Sequence, residues 1–339
     1  MSRRRRERCA SAEREAGTAA SDAGAALARA VGSEAPDRPE AWTRAALVVF
    51  VLFALALAYL GLRPGGVGPL VVYMEGRLAL ALCALAVLAW GAVVSLRRRP
   101  LLRPGRARAL FALALVIGVA NYPFPYPSSH EHLPSAVRFR LPVDGEWVVV
   151  WGGERKADNR LAAFLPDRRW GMHLVVERDG ATWAGDPDDP AAYPAFGREV
   201  LAPAAGRVVV VQDGEPDHSP RRREGSALGN HVVLEIAPGE YCFLAHLQQG
   251  SIRVAVGDEP ALGQPLARVG SSGRMVLTPQ PHVAIHLQDT SVPLRGEGIP
   301  WAFSGYESGG RRVGRGLPCG GVGAGGELLG ERVRHLEGQ

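Results

Sequence analysis

The feature that most constrains this chain is a run of apolar residues, Ala45–Leu62, with no charge for about 18 positions. At 1.5 Å per residue a helix of that length crosses a hydrocarbon core of roughly 30 Å. A second run, Leu78–Leu96, is equally long. A third begins at Ala109 but stays strongly apolar for only about 12 residues before Asn121 and the stretch Tyr122-Pro123-Phe124-Pro125-Tyr126-Pro127. It completes a span if Tyr122, Phe124 and Tyr126 lie in an interfacial aromatic belt. The alternative is an interfacial or re-entrant helix.

Arginine sets the orientation. Arg3–Arg6 precede the first run, and Arg97, Arg98, Arg99, Arg103, Arg106 and Arg108 separate the second from the third. Keeping both basic segments in the cytoplasm gives a cytoplasmic N-terminus, three crossings and an extracytoplasmic chain after Pro127. The net charge of +5 is accounted for by these segments, so it gives no reason to expect nucleic acid as a partner. The first run starts about forty residues in and no small-residue cleavage site follows it, which argues against a removable signal peptide. Residues 1–41 hold little to bury and are expected to be a disordered cytoplasmic tail.

From Leu141 the pattern changes to short β-like runs separated by Gly and Pro. Strands are expected at 146–151, 173–177, 206–211, 231–236, 241–246, 252–256, 265–269 and 282–288. Spacings of roughly 8–15 residues imply an antiparallel sandwich or barrel. Asp213–Gly225, rich in Pro, Asp and Arg, reads as a surface loop. The Gly-rich stretch 309–330 reads as part of a flexible tail, 308–339. Of the four cysteines none forms a CxxC pair. Cys242 and Cys319 are either a disulfide or, more plainly, a buried free thiol and a tail thiol.

Six segments occur in an informative order: Ala202-Pro203-Ala204-Ala205-Gly206-Arg207-Val208, Gly229-Asn230-His231-Val232-Val233-Leu234, Leu244-Ala245-His246-Leu247, Val256-Gly257-Asp258 through Gly263-Gln264-Pro265-Leu266, Val269-Gly270-Ser271-Ser272-Gly273, and Pro281-His282-Val283-Ala284-Ile285-His286. Together with Gly296-Glu297-Gly298-Ile299-Pro300-Trp301, this order resembles the lysostaphin/LytM-type zinc metalloendopeptidases over about residues 140–307. The resemblance implies a mainly β, antiparallel duplicated-hybrid-motif domain, here 141–307, preceded by about three transmembrane helices at 42–126 and a linker at 127–140. It also implies zinc as cofactor and cell-wall peptidoglycan as substrate.

The site residues follow the resemblance only in part. His246 and His282 match the two assisting, catalytic histidines of the family. The ligand positions differ: Arg160 or Leu161 stands where a ligand His belongs, His173 where the Asp belongs, and Ala284 at the second His of HxH. His282 and His286 share a strand face but lie roughly 13 Å apart at 3.3 Å per residue, too far for one ion. A shifted metal site using His173 and His286, with His246, is the rescue open to the chain. His130 and His132 sit in the linker and read as solvated, His218 as a loop residue and His231 as a strand-face residue.

Two functional readings therefore stand. One is a domain that holds zinc weakly or not at all and binds peptidoglycan or an extracytoplasmic protein partner at the cell membrane. The other is a zinc endopeptidase that hydrolyses peptide cross-links through an altered histidine site.

Overall fold

The computed structural model describes residues 40–98, 103–155, 158–159, 162–323 and 327–336. The expected N-terminal tail, 1–41, lies almost wholly outside the described residues, as do Arg160 and Leu161.

Three helices come first: α1, Ala41–Gly61; α2, Val67–Arg97, with a π-helical turn at Val72–Gly76; and α3, Pro104–Asn121. The first two are long and apolar enough to cross a membrane. The third is 18 residues long but carries Arg106 and Arg108 in its first turns, so its apolar stretch is shorter than the other two. Pro104 opens it at the position where a missing N–H costs nothing. Trp42, Phe53, Ala84, Leu113 and Val116 are buried where the helices meet. Gly91 is required there, because a Cβ would stand 2.5–2.9 Å from the Trp42 ring. One end of the bundle gathers charge: the buried Arg106 donates to both Glu40 carboxylate oxygens at 3.0 and 2.8 Å, and to the Arg98 carbonyl at 2.9 Å. At the other end Arg77 donates to the Ala120 and Tyr122 carbonyls and stacks over Phe124.

The rest of the chain is mainly antiparallel β. Strands β1 (Glu146–Trp151), β2 (Met172–Val175), β4 (Arg207–Gln212), β5 (Asn230–Ala237), β6 (Glu240–Leu247), β8 (Val283–Gln288), β9 (Phe303–Ser308), β10 (Arg311–Gly316) and β11 (Arg332–His335) form one sheet in the order β10-β9-β11-β1-β2-β8-β6-β5-β4. Strands β3 (Glu199–Leu201) and β7 (Pro265–Arg268) pair separately. Because side chains alternate across a strand, each central strand divides its residues between two faces. Met172, Leu174, Val232, Leu234, Leu244, Val283 and Ile285 point into the main core, which Val200 of β3 and Leu266 of β7 close from the other side. Val233, Phe243, Ala245 and Ala284 belong to a second cluster on the opposite face.

The structure departs from the sequence expectations in three places. The stretch read as a flexible tail supplies β10 and β11, and β11 inserts between β9 and β1 with Val333 buried. Its glycines give no apolar alternation, so its strand character comes from pairing partners. No strand forms at 252–256: Asp258 Oδ2 accepts from Ala255 N at 2.8 Å and closes a turn instead. Cys242 and Cys319 are both free thiols, as the plainer sequence reading has them.

The linker is the third. His130 is half-buried and bonds Asp289 at 3.3 Å, and the preceding residues are tied to Glu297, which is 1% exposed. Its carboxylate accepts from Tyr126 Oη at 2.6 Å, Ser129 Oγ at 2.7 Å and Ser129 N at 2.8 Å. Glu131 pairs with Arg63 from the α1–α2 loop at 3.1 Å. Segment 126–131 thus joins the helices to the β-domain by specific bonds rather than as a solvated tether.

Candidate functional site

The histidines collect on the second face of the large sheet. The cross-strand register aligns Trp151, His173, Ala284 and Ala245 in one row over β1, β2, β8 and β6. The neighbouring pair on β6 and β8 is Phe243 opposite His286. His282 enters just before β8, and its ring stacks on His173 with centroids 4.5 Å apart and planes 27° apart. His246 approaches the same ring at 5.0 Å, tilted by 49°. The structure thus brings His173, His246 and His282 together, while His286 stacks on Phe243 at 4.6 Å.

Each ring of the cluster is held from behind. His246 Nδ1 lies 2.9 Å from the Ser272 carbonyl, and His282 Nδ1 lies 2.7 Å from that of Gln280. A carbonyl can only accept, so both Nδ1 atoms carry the proton and both Nε2 atoms present a lone pair. His173 Nδ1 bonds Thr278 Oγ1 at 2.8 Å. His246 also has a backbone φ of +60°, a conformation that costs a residue with a Cβ about 1 kcal/mol. Gly229, with φ +58°, and buried Asn230 fix the strand beside it. Asn230 Nδ2 donates to the Glu215 and Leu247 carbonyls, and its Oδ1 accepts from Glu215 N.

Burial decides the charge state of these rings. It holds His173 and His246 well below the usual imidazole range, with neighbouring His282 and Arg168 adding to the effect. It brings His282 down to about 4, and His286, with help from Arg168, to about 3. The four imidazoles are therefore neutral at pH 7. Arg168 bonds Asp167 at 3.0 Å and lines a cavity of about 10 Å³ together with His173, His246, Ala284 and His286. The cavity has room for about one water molecule. Nε2 of His282 and of His286 is buried without a hydrogen-bond partner.

A structural or catalytic zinc needs three or more protein donors at about 2.0–2.3 Å from one point. This donor set does not fit. Stacked rings cannot aim their nitrogens at a common centre, Ala284 offers no donor in the middle of the row, and a guanidinium occupies the wall of the shared cavity. Among the described residues no group of three His, Cys, Asp or Glu side chains could hold a metal ion. Arg168 is the residue that sequence reasoning passed over. Its place in a turn before β2 gave no periodic signal, and only the fold brings it to the histidines. Thr278, Ser272 and Gln280 were missed for the same reason. Of the remaining histidines, His231 lies buried on β5. His218 is half-buried rather than solvated, bonding the Ser219 and Gly273 carbonyls.

The model of peptidase family M23 matches residues 191–295. This segment is an M23 domain. The match is shorter than the resemblance traced over 140–307 and leaves out β1, β2 and the first-motif region. Among solved structures the chain is similar to a peptidase M23 from Pseudomonas aeruginosa (21% identity, 46% of each chain, TM-score 0.27). It is also similar to a zinc containing peptidase from Vibrio cholerae (21% identity, 49% of this chain and 40% of that one, TM-score 0.28). A third is the catalytic domain of the antimicrobial peptidase lysostaphin from Staphylococcus simulans (18% identity, 38% and 73%, TM-score 0.25). The first two likenesses span less than half the length of those chains. A search of curated proteins gave no match.

Proposed function

We propose that this protein is a membrane-anchored M23-family domain that binds a peptide ligand, in cell-wall peptidoglycan or in an extracytoplasmic partner protein, without hydrolysing it. The observation that supports this most is Ala284, opposite His173 in the centre of the histidine face, where a metal donor would have to stand. The chemistry left on that face suits recognition. Neutral imidazoles accept hydrogen bonds at Nε2 from N–H groups that reach this buried face, and Arg168 offers donors to carbonyl or carboxylate oxygens. His246 and His282, the family's assisting positions, become ligand-contacting residues in this reading. His173 and His286 become cleft walls rather than zinc ligands.

The topology belongs to the same proposal. Glu40, Arg98 and Arg106 cluster at one end of the bundle, and the positive-inside rule puts that end in the cytoplasm. With α3 as a third crossing, the β-domain lies outside, facing the wall. The proposed division is a cytoplasmic tail to residue 41, helices at 42–126, a bonded linker at 127–140, and a duplicated-hybrid-motif domain from 141 that continues through β11.

The test is cosedimentation of the full chain, in non-ionic detergent, with purified cross-linked peptidoglycan, followed by analysis of released peptides. Binding without release, weakened by Arg168→Gln, is the expected result. Cleavage abolished by chelator and restored by zinc would overturn it. That outcome is the second reading, a zinc endopeptidase with a rebuilt site. It draws its support from His173, His246 and His286 lining one small cavity.

A further inference from the structure

Away from the histidine face, the strands added after the M23 segment build a second concavity. Its volume is about 340 Å³, and Arg138, Arg140, Arg315 and Ser304 line it, with Leu262 at the rim. Most of its wall comes from the linker and from β9–β11, outside residues 191–295.

Arg138 and Arg315 bring uncompensated positive charge to this pocket, while Arg140 is paired with Asp144. Among the described residues that line it, His335 included, none is a carboxylate. Arg140 is oriented by donating from Nε to the Leu141 carbonyl at 3.0 Å and by its contact with Asp144. Arg315 spends one nitrogen on the Ser135 carbonyl at 2.9 Å, a bond that leaves its charge uncompensated. Arg138 is exposed and ends in the pocket with no carboxylate beside it. Like charges gathered round one space repel, and a pocket that keeps them together is stabilised by an anion. Guanidinium forks match tetrahedral oxyanions in geometry as well as charge. The volume lies at the lower end of the range for small-molecule sites, more than a bare ion fills. The Ser304 hydroxyl and the open backbone at Gly314 leave a partner and room for a hydroxylated remainder.

We propose that this pocket binds a small organic phosphate of the glycerol phosphate class. Two sources share that chemistry: a phospholipid headgroup and a phosphate ester in the aqueous phase. Arg138 follows Glu131, which touches the α1–α2 loop, by seven residues. At no more than roughly 3.5 Å per residue, the pocket lies within about 25 Å of the outer end of the helices. That limit, together with the proposed topology on which it rests, makes a headgroup one of the two sources to test.

The experiment uses the full chain. In non-ionic detergent, glycerol phosphate is titrated calorimetrically at two salt concentrations. In nanodiscs, protection of Arg138 from chemical modification is compared between phosphatidylglycerol and phosphatidylcholine bilayers. Saturable, salt-sensitive binding in detergent, or protection by phosphatidylglycerol alone, is the expected result, and the arm that responds identifies the source. Arg138→Gln should weaken glycerol phosphate binding about tenfold. Arg312→Gln, on β10 like Arg315 but outside the pocket, should leave it unchanged. Because Arg138 is exposed, its replacement leaves the fold intact, which the thermal midpoint verifies. No saturable binding and no selective protection would overturn the proposal. So would an Arg138→Gln protein that binds as tightly as the parent, or an equal loss in Arg312→Gln.

Discussion

Replacing Glu297 should release the β-domain from its fixed seat above the helices. The carboxylate is buried and accepts from Tyr126 Oη, Ser129 Oγ and Ser129 N at 2.6–2.8 Å. Glu297 N is itself anchored on Asp289 Oδ1 at 2.8 Å. Glu297→Ala strands three donors, each worth about 1–3 kcal/mol when left unsatisfied, although Ser129 can regain water. The expected loss is about 3–5 kcal/mol, in the range for breaking a buried charged network. Glu297→Gln keeps one acceptor oxygen and should cost about 1–2 kcal/mol. Tyr126→Phe should cost about 1 kcal/mol, and the double variant should cost less than the sum of the two. Native-state proteolysis of the linker reads this directly, because cleavage follows the population of the opened form when reclosing is fast. A loss of 4 kcal/mol raises that population nearly a thousandfold. If Glu297→Ala is cleaved within twofold of the parent rate, the linker is a plain tether and the reasoning fails.

Acid should destabilise the β-domain. Unfolded histidines titrate near 6.5, whereas His282 and His286 are brought to about 4 and about 3. Between those values the unfolded chain binds protons that the folded chain refuses, so stability is full above about pH 6.5 and falls as pH drops below it. At pH 4.5 each of these two residues should cost roughly 2–3 kcal/mol. Thermal midpoints from pH 7.5 to 4.5 should fall accordingly, less steeply in His282→Gln, and a flat profile would refute the burial argument. Gly91→Leu should break the helix bundle, since even a Cβ meets the Trp42 ring; an unchanged midpoint in detergent would show that the helices do not pack there. Asn230→Ala should cost about 2–4 kcal/mol by leaving Glu215 N and the Glu215 carbonyl without their side-chain partner, measured by denaturant unfolding.

The central strands were legible because their alternation is strong. Val232 and Leu234 face one side and Val233 the other, and the same holds for Val283, Ala284 and Ile285. Strands β10 and β11 were not legible. Gly314, Gly316 and the arginines around them have weak strand preference, and β9 and β1 supply the pairing that makes them strands. The role of Glu297 was hidden by sequence distance, since Tyr126 lies 171 positions away. The site was legible in its residue types but not in its convergence. Strand spacing kept His282 and His286 apart, while a left-handed turn at His246 and an entry bend at His282 drew those two toward His173. Arg168 lay outside any pattern that periodicity can detect.

Zinc content tests most directly the proposal that this M23 domain binds its ligand without a metal centre. The full chain is purified in detergent, incubated with excess zinc, washed through a desalting column and measured by elemental analysis. Well under 0.1 zinc per chain is the predicted result. About one zinc per chain, lost in a His173→Ala variant that stays folded, would show that the histidines rearrange into a working metal site and would contradict the account.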